Sequence, residues 1–154
     1  MVNSFSFADQ LASVNIATAE GLTAHRGLAY FVANDGVHGN ELWRTNGSVD
    51  GTYMVKDVVA GVADASIQNI TAARRWIYFT YSDQSGVHLA RTRGSANDTV
   101  RIATFPSDAG IAGKFVTIND DIFFTLGRDL YRSNGQSGSL RRLGRFAYSS
   151  LPAH

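Results

Sequence analysis

The chain has 154 residues, of which 18% are charged, 44% are hydrophobic and 15 are glycine, and its formal net charge is +1. This composition is typical of one globular domain rich in strands and turns, and it excludes a disordered chain. No apolar run approaches the roughly 18 residues of a membrane span. The sequence contains no cysteine, which excludes disulfides, thiolate metal sites and thiol nucleophiles.

Charge is unevenly distributed along the chain. Residues 1–64 carry three basic and seven acidic side chains, a balance of −4, whereas residues 65–154 carry eleven and six, a balance of +5. One interpretation is scattered, solvated charge. The other is a pair of complementary ends in a head-to-tail assembly.

Residues 1–21 are predicted to form an N-terminal extension. Residues 4–7 alternate polar and apolar side chains, which predicts a short edge strand that pairs with this chain or with a second copy. Residues 9–14 are an alternative helical turn. The N-terminus lacks the basic start and apolar core of a secretory signal.

Three runs rich in β-branched and aromatic residues follow, at residues 28–33, 76–81 and 122–126. Each is apolar on both faces, which is typical of a strand whose sheet is covered on both sides. No stretch of helical length repeats its apolar residues every 3.6 positions. The sequence therefore predicts an all-β fold.

Each run is followed by a copy of the pattern Leu-x-Arg-(Thr/Ser)-x-Gly, at residues 42–47, 89–94 and 130–135. The phenylalanines that precede the copies, Phe31, Phe79 and Phe124, lie 48 and 45 residues apart. Self-similarity at this period indicates a repeat fold, and the length suits a four-stranded propeller blade.

The first copy, residues 41–48 (ELWRTNGS), resembles the ELWxxDGT repeat of bacterial proteins, with Asn46 and Ser48 where the pattern has Asp and Thr. The later copies keep Leu, Arg and Gly, but Ala90 and Tyr131 replace the tryptophan. The resemblance covers roughly residues 22–143. It implies a β-propeller-like repeat in a secreted or surface protein, without a defined activity. The missing signal leaves a cytoplasmic location as the alternative.

We therefore predict a single propeller-type domain, residues 1–154, with three four-stranded antiparallel blades. After the extension 1–21, blade 1 spans 22–65, blade 2 spans 66–113, and blade 3 with its tail spans 114–148. Closed propellers contain about four to eight blades, so three leave an uncovered apolar face at each end. We expect two chains to close a six-bladed ring head to tail. A nine-bladed trimer and an open piece of a longer array are the alternatives.

The candidate ligand-binding residues recur at equivalent positions of the repeat or offer an aromatic face. They are Trp43, Arg44, Arg91, Tyr131, Arg132, His38 and His88. Trp43 is expected either to pack between blades or to stack on a sugar. The arginines either tie a blade to its neighbour or face an acidic ligand. The histidines are either hydrogen-bonded turn residues or a shared anion or metal site.

Asn34, Asp35, Asn40 and Glu41 crowd one loop, where their oxygens suit either calcium or the capping of turns. The loop lacks EF-hand spacing, and we predict no metal and no cofactor. No catalytic motif occurs, so we predict no catalytic residues and no enzyme. The basic residues between 128 and 145 lack a nucleic-acid-reading motif, and we predict no nucleic-acid partner.

The predicted function is a non-catalytic scaffold or binding module whose main partner is a second copy of itself. A lectin with sugar pockets between blades near Trp43 is the alternative. A hydrolase, with carboxylates of raised pKa gathered at the axial mouth, is the third interpretation.

Overall fold

The computed structural model describes residues 15–109 and 111–147, with side chains for all of them except 15–21 and 111–114. The predicted edge strand at residues 4–7, the alternative helical turn and the end of the tail lie outside these ranges.

Within these ranges the chain forms twelve strands and no helix. The strands are β1 Asn15–His25, β2 Leu28–Asn34, β3 Asn40–Thr45, β4 Tyr53–Met54, β5 Gln68–Ala72, β6 Ile77–Asp83, β7 Gly86–Thr92, β8 Val100–Phe105, β9 Ile111–Ile118, β10 Asp121–Leu126, β11 Asp129–Ser133 and β12 Arg141–Arg145. They form sheet 1 (β1–β4), sheet 2 (β5–β8) and sheet 3 (β9–β12), each four-stranded with neighbours in chain order. All strand pairs are antiparallel. The prediction of an all-β chain with three four-stranded antiparallel sheets is confirmed.

The first and third sheets begin earlier than the predicted boundaries. Strand β1 begins at Asn15, inside the predicted extension, and β9 begins at Ile111 rather than at residue 114. The pairing of β1 with β2 contains two register shifts. Such irregular pairing breaks the alternation by which a strand is recognised in a sequence.

The repeat alignment predicts the strand register. Arg44 pairs with Tyr30, and Arg91 pairs with Tyr78 in the same place of sheet 2. In sheet 3, Arg132 pairs with Phe123. Because side chains alternate between the faces of a strand, this shared register gives every sheet the same two faces. We call the face that carries Tyr30, Tyr78 or Phe123 the front, and the face that carries Phe31, Phe79 or Phe124 the back.

The sheets pack front to back. The front of sheet 1 meets the back of sheet 2 in a buried cluster that includes Tyr30, Leu42 and Phe79. The front of sheet 2 meets the back of sheet 3 in a second cluster that includes Tyr78 and Phe124. Strand β5 also lies between β1 and β9, so the first strands of the three sheets are neighbours. At these two contacts, a sheet buries an apolar face by stacking on the next sheet.

The two terminal faces differ. On the back of sheet 1, Phe31, Ala33 and Trp43 are buried in a third cluster with partly buried Met54, so the expectation of an uncovered face there is wrong for these residues. The front of sheet 3 exposes Val116 at 55% and Ile118 at 60%. An open apolar face is therefore present at one end of the stack.

Candidate functional site

Arg91 joins sheet 2 to sheet 3. Its Nε donates a hydrogen bond to the Gly135 carbonyl, and its guanidinium lies 4.3 Å from the centre of the Trp76 ring. Burial lowers the pKa of Arg91, and repulsion from the Arg93 guanidinium lowers it further. A planar cation held between a carbonyl and an indole face is a structural tie between neighbouring sheets.

The glycine of the repeated pattern makes this close approach possible. Gly135 has φ 88°, and a Cβ there would overlap the Trp76 ring. Gly94 has φ 109°, and its Cβ would lie 2.9 Å from the Tyr30 hydroxyl of sheet 1. Only glycine combines this backbone conformation with so little space. Gly47 has the same conformation, yet among the described residues no heavy atom lies within 4 Å of its Cβ position apart from its own neighbours in the chain.

The other two repeated arginines have partners within their own sheets. Arg44 lies over the Tyr53 ring, with 4.6 Å between the guanidinium carbon and the ring centre. Arg132 donates from Nε to the Asp121 carboxylate at 2.9 Å. Arg44 Nε also donates to the Gly51 carbonyl of its own turn at 3.4 Å, as Arg91 Nη1 does to the Asp98 carbonyl at 3.5 Å. All three arginines thus have partners within the protein, which favours structural roles over a common ring facing an acidic ligand.

Each candidate histidine is held by an aspartate near it in sequence. His38 Nδ1 lies 2.6 Å from Asp35 Oδ2, and this contact lowers the pKa of Asp35 to about 2 and raises the pKa of His38. His88 is fully buried, with Nε2 2.8 Å from Asp83 Oδ1. Hydrogen bonds from Ser85 and then from His88 hold the pKa of Asp83 well below its usual range. The interpretation of hydrogen-bonded turn histidines is favoured over a shared site.

A hydroxyl–imidazole–carboxylate chain, which the sequence motifs do not reveal, runs through His88. Thr104 Oγ1 lies 2.8 Å from His88 Nδ1, on the opposite side of the ring from Asp83. A catalytic triad has this order, but it also needs room for a substrate at the hydroxyl. His88 has no exposed surface, and Thr104 lines none of the clefts described below. This series of hydrogen bonds through His88 therefore fixes β7 to β8 and does not present a nucleophile.

Trp43 and Tyr131 both pack inside the protein. Trp43 is 7% exposed, so its ring face is not open to a sugar in the single chain. Tyr131 stacks on Phe124, with 5.7 Å between the ring centres and 16° between the planes. These contacts favour the packing interpretation of both aromatic residues.

Glu41 is fully buried, and its two oxygens accept hydrogen bonds from the backbone N–H groups of Val58 at 3.2 Å and Val59 at 3.1 Å. Burial raises the pKa of Glu41 to about 8, and the neighbouring Asp57 carboxylate also raises it. Asn34 Oδ1 in the same loop accepts the N–H of Gly36. In the described part of the chain, no three His, Asp or Glu side chains converge as a metal site. The loop oxygens therefore close turns.

A cleft of about 640 Å³ opens where turns of the three sheets meet. We call it the arginine cleft. It is lined by His25, Arg26, Leu28, Arg74, Arg75, Arg93 and Asp120. The recurring Leu-x-Arg pattern does not point to these arginines, because none of them occupies its Arg position.

The walls of the arginine cleft are fixed by contacts between sheets. His25 Nε2 donates to the Ala73 carbonyl at 2.9 Å. Arg75 Nε lies 2.6 Å from Asp120 Oδ2, and the Arg75 guanidinium lies over Trp76. The cleft is therefore a defined surface between packed sheets.

The chain was compared with models of known protein families and with curated proteins, and neither comparison found a match. The resemblance to the ELWxxDGT repeat remains a prediction from the residues themselves. None of the described segments is a helix of the length and apolarity needed to cross a bilayer.

Proposed function

We propose that the chain is a non-catalytic propeller-type scaffold and binding module that self-associates head to tail, with its three sheets as blades of a six-bladed ring. The observation that carries this proposal is the contact between neighbouring sheets, which we call a seam. A seam occurs twice within the chain, and each end of the stack has the residues of one side of a further seam. At an internal seam, a glycine turn lies against the front of the preceding sheet, as Gly94 does against Tyr30 and Gly135 does against Trp76.

The front of sheet 3 has the features of an acceptor. Phe123 and Arg132 occupy the positions that Tyr78 and Arg91 occupy in sheet 2. Beside them is a cleft of about 340 Å³ whose lining includes Ile118 and Phe123. At the other end, the Gly47 turn has the conformation of the docked turns, and beyond its chain neighbours no described residue lies within 4 Å of its Cβ position. In a dimer, Arg132 would bind the Gly47 turn of the second copy as Arg91 binds Gly135.

Opposing free energies limit the affinity. Val116 is 55% and Ile118 60% exposed, so complete burial would contribute about 1–2 kcal/mol each, the corresponding part of the roughly 1.5–3 kcal/mol for a fully exposed side chain. Arg132 must leave Asp121, an exposed ion pair worth about 0–1 kcal/mol. The face with Phe31 and Trp43, buried in the single chain, must open to receive the partner. The acidic first part of the chain and the basic second part favour this orientation. We therefore expect association that depends on concentration.

The test is mass in solution from about 1 µM to about 1 mM. The expected result is a change from 16.7 kDa to twice that mass. Ile118→Lys, on the acceptor face, and Gly47→Trp, on the turn, should each keep the chain monomeric. Their controls are Val62→Lys, at another exposed apolar residue, and Gly138→Trp, at a second open glycine with positive φ.

A monomer at every concentration would refute self-association. Loss of the dimer with Ile118→Lys but not with Gly47→Trp would refute the head-to-tail register, since a front-to-front dimer does not use the turn. No contact of Trp43 or Tyr131 favours the lectin alternative.

A further inference from the structure

The arginine cleft holds more positive charge than its own carboxylate neutralises. Four arginines and one aspartate line it, and Asp120 is paired with Arg75. Arg26 donates one hydrogen bond to the described part of the chain, from Nη1 to the Arg74 carbonyl at 3.3 Å. The side chains of Arg74 and Arg93 make no hydrogen bond or ion pair with any described residue. Three guanidinium groups thus retain unused donors around one cavity.

Arg26 has a backbone conformation that other residue types adopt more readily than arginine does. Its φ is 51°, in the left-handed region that disfavours most side chains and is tolerated best by Gly, Asn and Asp. The equivalent turn of sheet 3, before β10, has Asn119 there with φ 55°. Sheet 2 has Arg74 at the aligned position, where φ is not positive. An arginine with positive φ is therefore less favourable for the fold than the asparagine that sheet 3 has in the same conformation.

Arg93 makes a second exception of the same kind. It stands at the position of the repeated pattern that Asn46 and Asn134 fill in the other two copies. The Oδ1 atoms of those asparagines accept backbone N–H groups of their own turns, from Ser48 at 2.9 Å and from Gln136 at 3.0 Å. A guanidinium has no acceptor, so the Arg93 turn lacks this closing hydrogen bond.

Two arginines in one cleft therefore stand where asparagine would suit the backbone better. Local rules of folding are broken in this way mainly at functional sites. Arginine adds to these turns a planar set of donors that matches the oxygens of phosphate, sulfate or carboxylate groups. The cleft volume of about 640 Å³ lies within the range of about 300–1,000 Å³ typical of small-ligand sites.

We propose that the arginine cleft binds a small multivalent oxyanion, with Arg26, Arg74 and Arg93 as its hydrogen-bond donors. His25 fixes the turn of Arg26 to the turn of Arg74, because its Nε2–H donates to the Ala73 carbonyl. The ligand carries at least two anionic groups, because the three guanidiniums come from three separate turns. The site lies within one chain and does not depend on ring closure.

The experiment is calorimetric titration at low ionic strength with inorganic pyrophosphate, ethane-1,2-disulfonate and citrate, which each carry at least two anionic groups and separate phosphate, sulfonate and carboxylate chemistry. The expected result is saturable binding of one equivalent that weakens as salt is added. The double variant Arg26→Asn with Arg93→Asn should weaken binding at least about tenfold, since it removes two charge-assisted donors. Arg141→Asn, which removes an exposed arginine of β12 outside the cleft, is the matched control.

Thermal unfolding of the same variants separates a binding role from a structural one. Because asparagine suits both turns, the double variant should unfold at a higher temperature than the parent while it loses the anion. A lower unfolding temperature would assign the arginines to the fold and overturn the proposal. So would the absence of saturable binding of all three anions at about 10 mM. Binding by the double variant as tight as that of Arg141→Asn would overturn it as well.

Discussion

Replacing Glu41 with glutamine is expected to remove most of the loss of stability that this protein suffers as pH rises above about 5. In the unfolded chain Glu41 has the ordinary pKa of 4.5, and burial raises the pKa to about 8 in the folded chain. Between these values the folded state holds one more proton than the unfolded state. The free energy of unfolding therefore falls as pH rises through this window.

The size of the effect follows from the two pKa values. Each pKa unit corresponds to about 1.36 kcal/mol, so the carboxyl of Glu41 accounts for a loss of up to about 5 kcal/mol across the window. Domains of this size have total stabilities of about 5–15 kcal/mol. The Asp57 carboxylate beside Glu41 adds to the cost of the charged form, because two like charges repel each other.

The assay is urea unfolding at intervals from about pH 5 to about pH 9, on the parent and on Glu41→Gln. Glutamine is neutral throughout and can still accept one of the two backbone N–H groups. The raised pKa of His38 gives stability that is present below 6.5 and is lost at higher pH, in the same direction as Glu41. His38→Gln is therefore measured as the control. A parent whose stability does not fall with pH, or a Glu41→Gln variant that keeps the parent slope, would refute the reasoning.

The remaining predictions concern the seam between sheets 2 and 3. Gly135→Ala should destabilise the protein by about 2–4 kcal/mol, because its Cβ overlaps Trp76, whereas Gly138→Ala, with φ 79° and open space, should cost only about 1–2 kcal/mol. Equal losses in urea unfolding would contradict the close approach. Arg91→Ala should cost about 2–3 kcal/mol by loss of its carbonyl and indole contacts, and Arg132→Ala about 1 kcal/mol or less. A loss for Arg91→Ala no larger than the loss for Arg132→Ala would show that Arg91 is not the tie between these sheets.

The strand pairing could be predicted from the sequence because side chains in a sheet repeat with a period of two. Once Leu42, Leu89 and Leu130 are aligned, Arg44, Arg91 and Arg132 must share a face, and the pairing of each arginine with an aromatic residue confirms this. The limits of the sheets were harder to predict. The irregular start of β1 at Asn15 lacks the aromatic residues that mark β2, β6 and β10.

The sequence repeat could not predict which of the two terminal sheet faces is buried. Trp43 and Phe123 both lie on a terminal face, yet Trp43 is buried and the front of sheet 3 is open at Ile118. Periodicity identifies which residues share a face, but the cover of a face depends on contacts between segments that are distant in sequence.

The arginine cleft was missed for a related reason. Arg26 and Arg74 lie 48 residues apart, the spacing of Phe31 and Phe79, and so occupy equivalent turns of the repeat. Arg93 comes from a different turn, and the three arginines together form no recognised motif. One signal was present in the sequence, namely that Arg93 interrupts a position where Asn46 and Asn134 agree. A departure from a repeat's own consensus at a turn is therefore worth examining as evidence of binding.

The contact between Arg91 and Gly135 also has a consequence for how such a chain changes in length. The donor arginine and the accepting turn belong to successive units, so the contact has a fixed direction from N-terminus to C-terminus. Duplication of one whole unit in the gene would supply both halves of a new contact at once. Duplication of part of a unit would supply only one half. Growth and shortening of the protein are therefore expected in steps of one entire sheet.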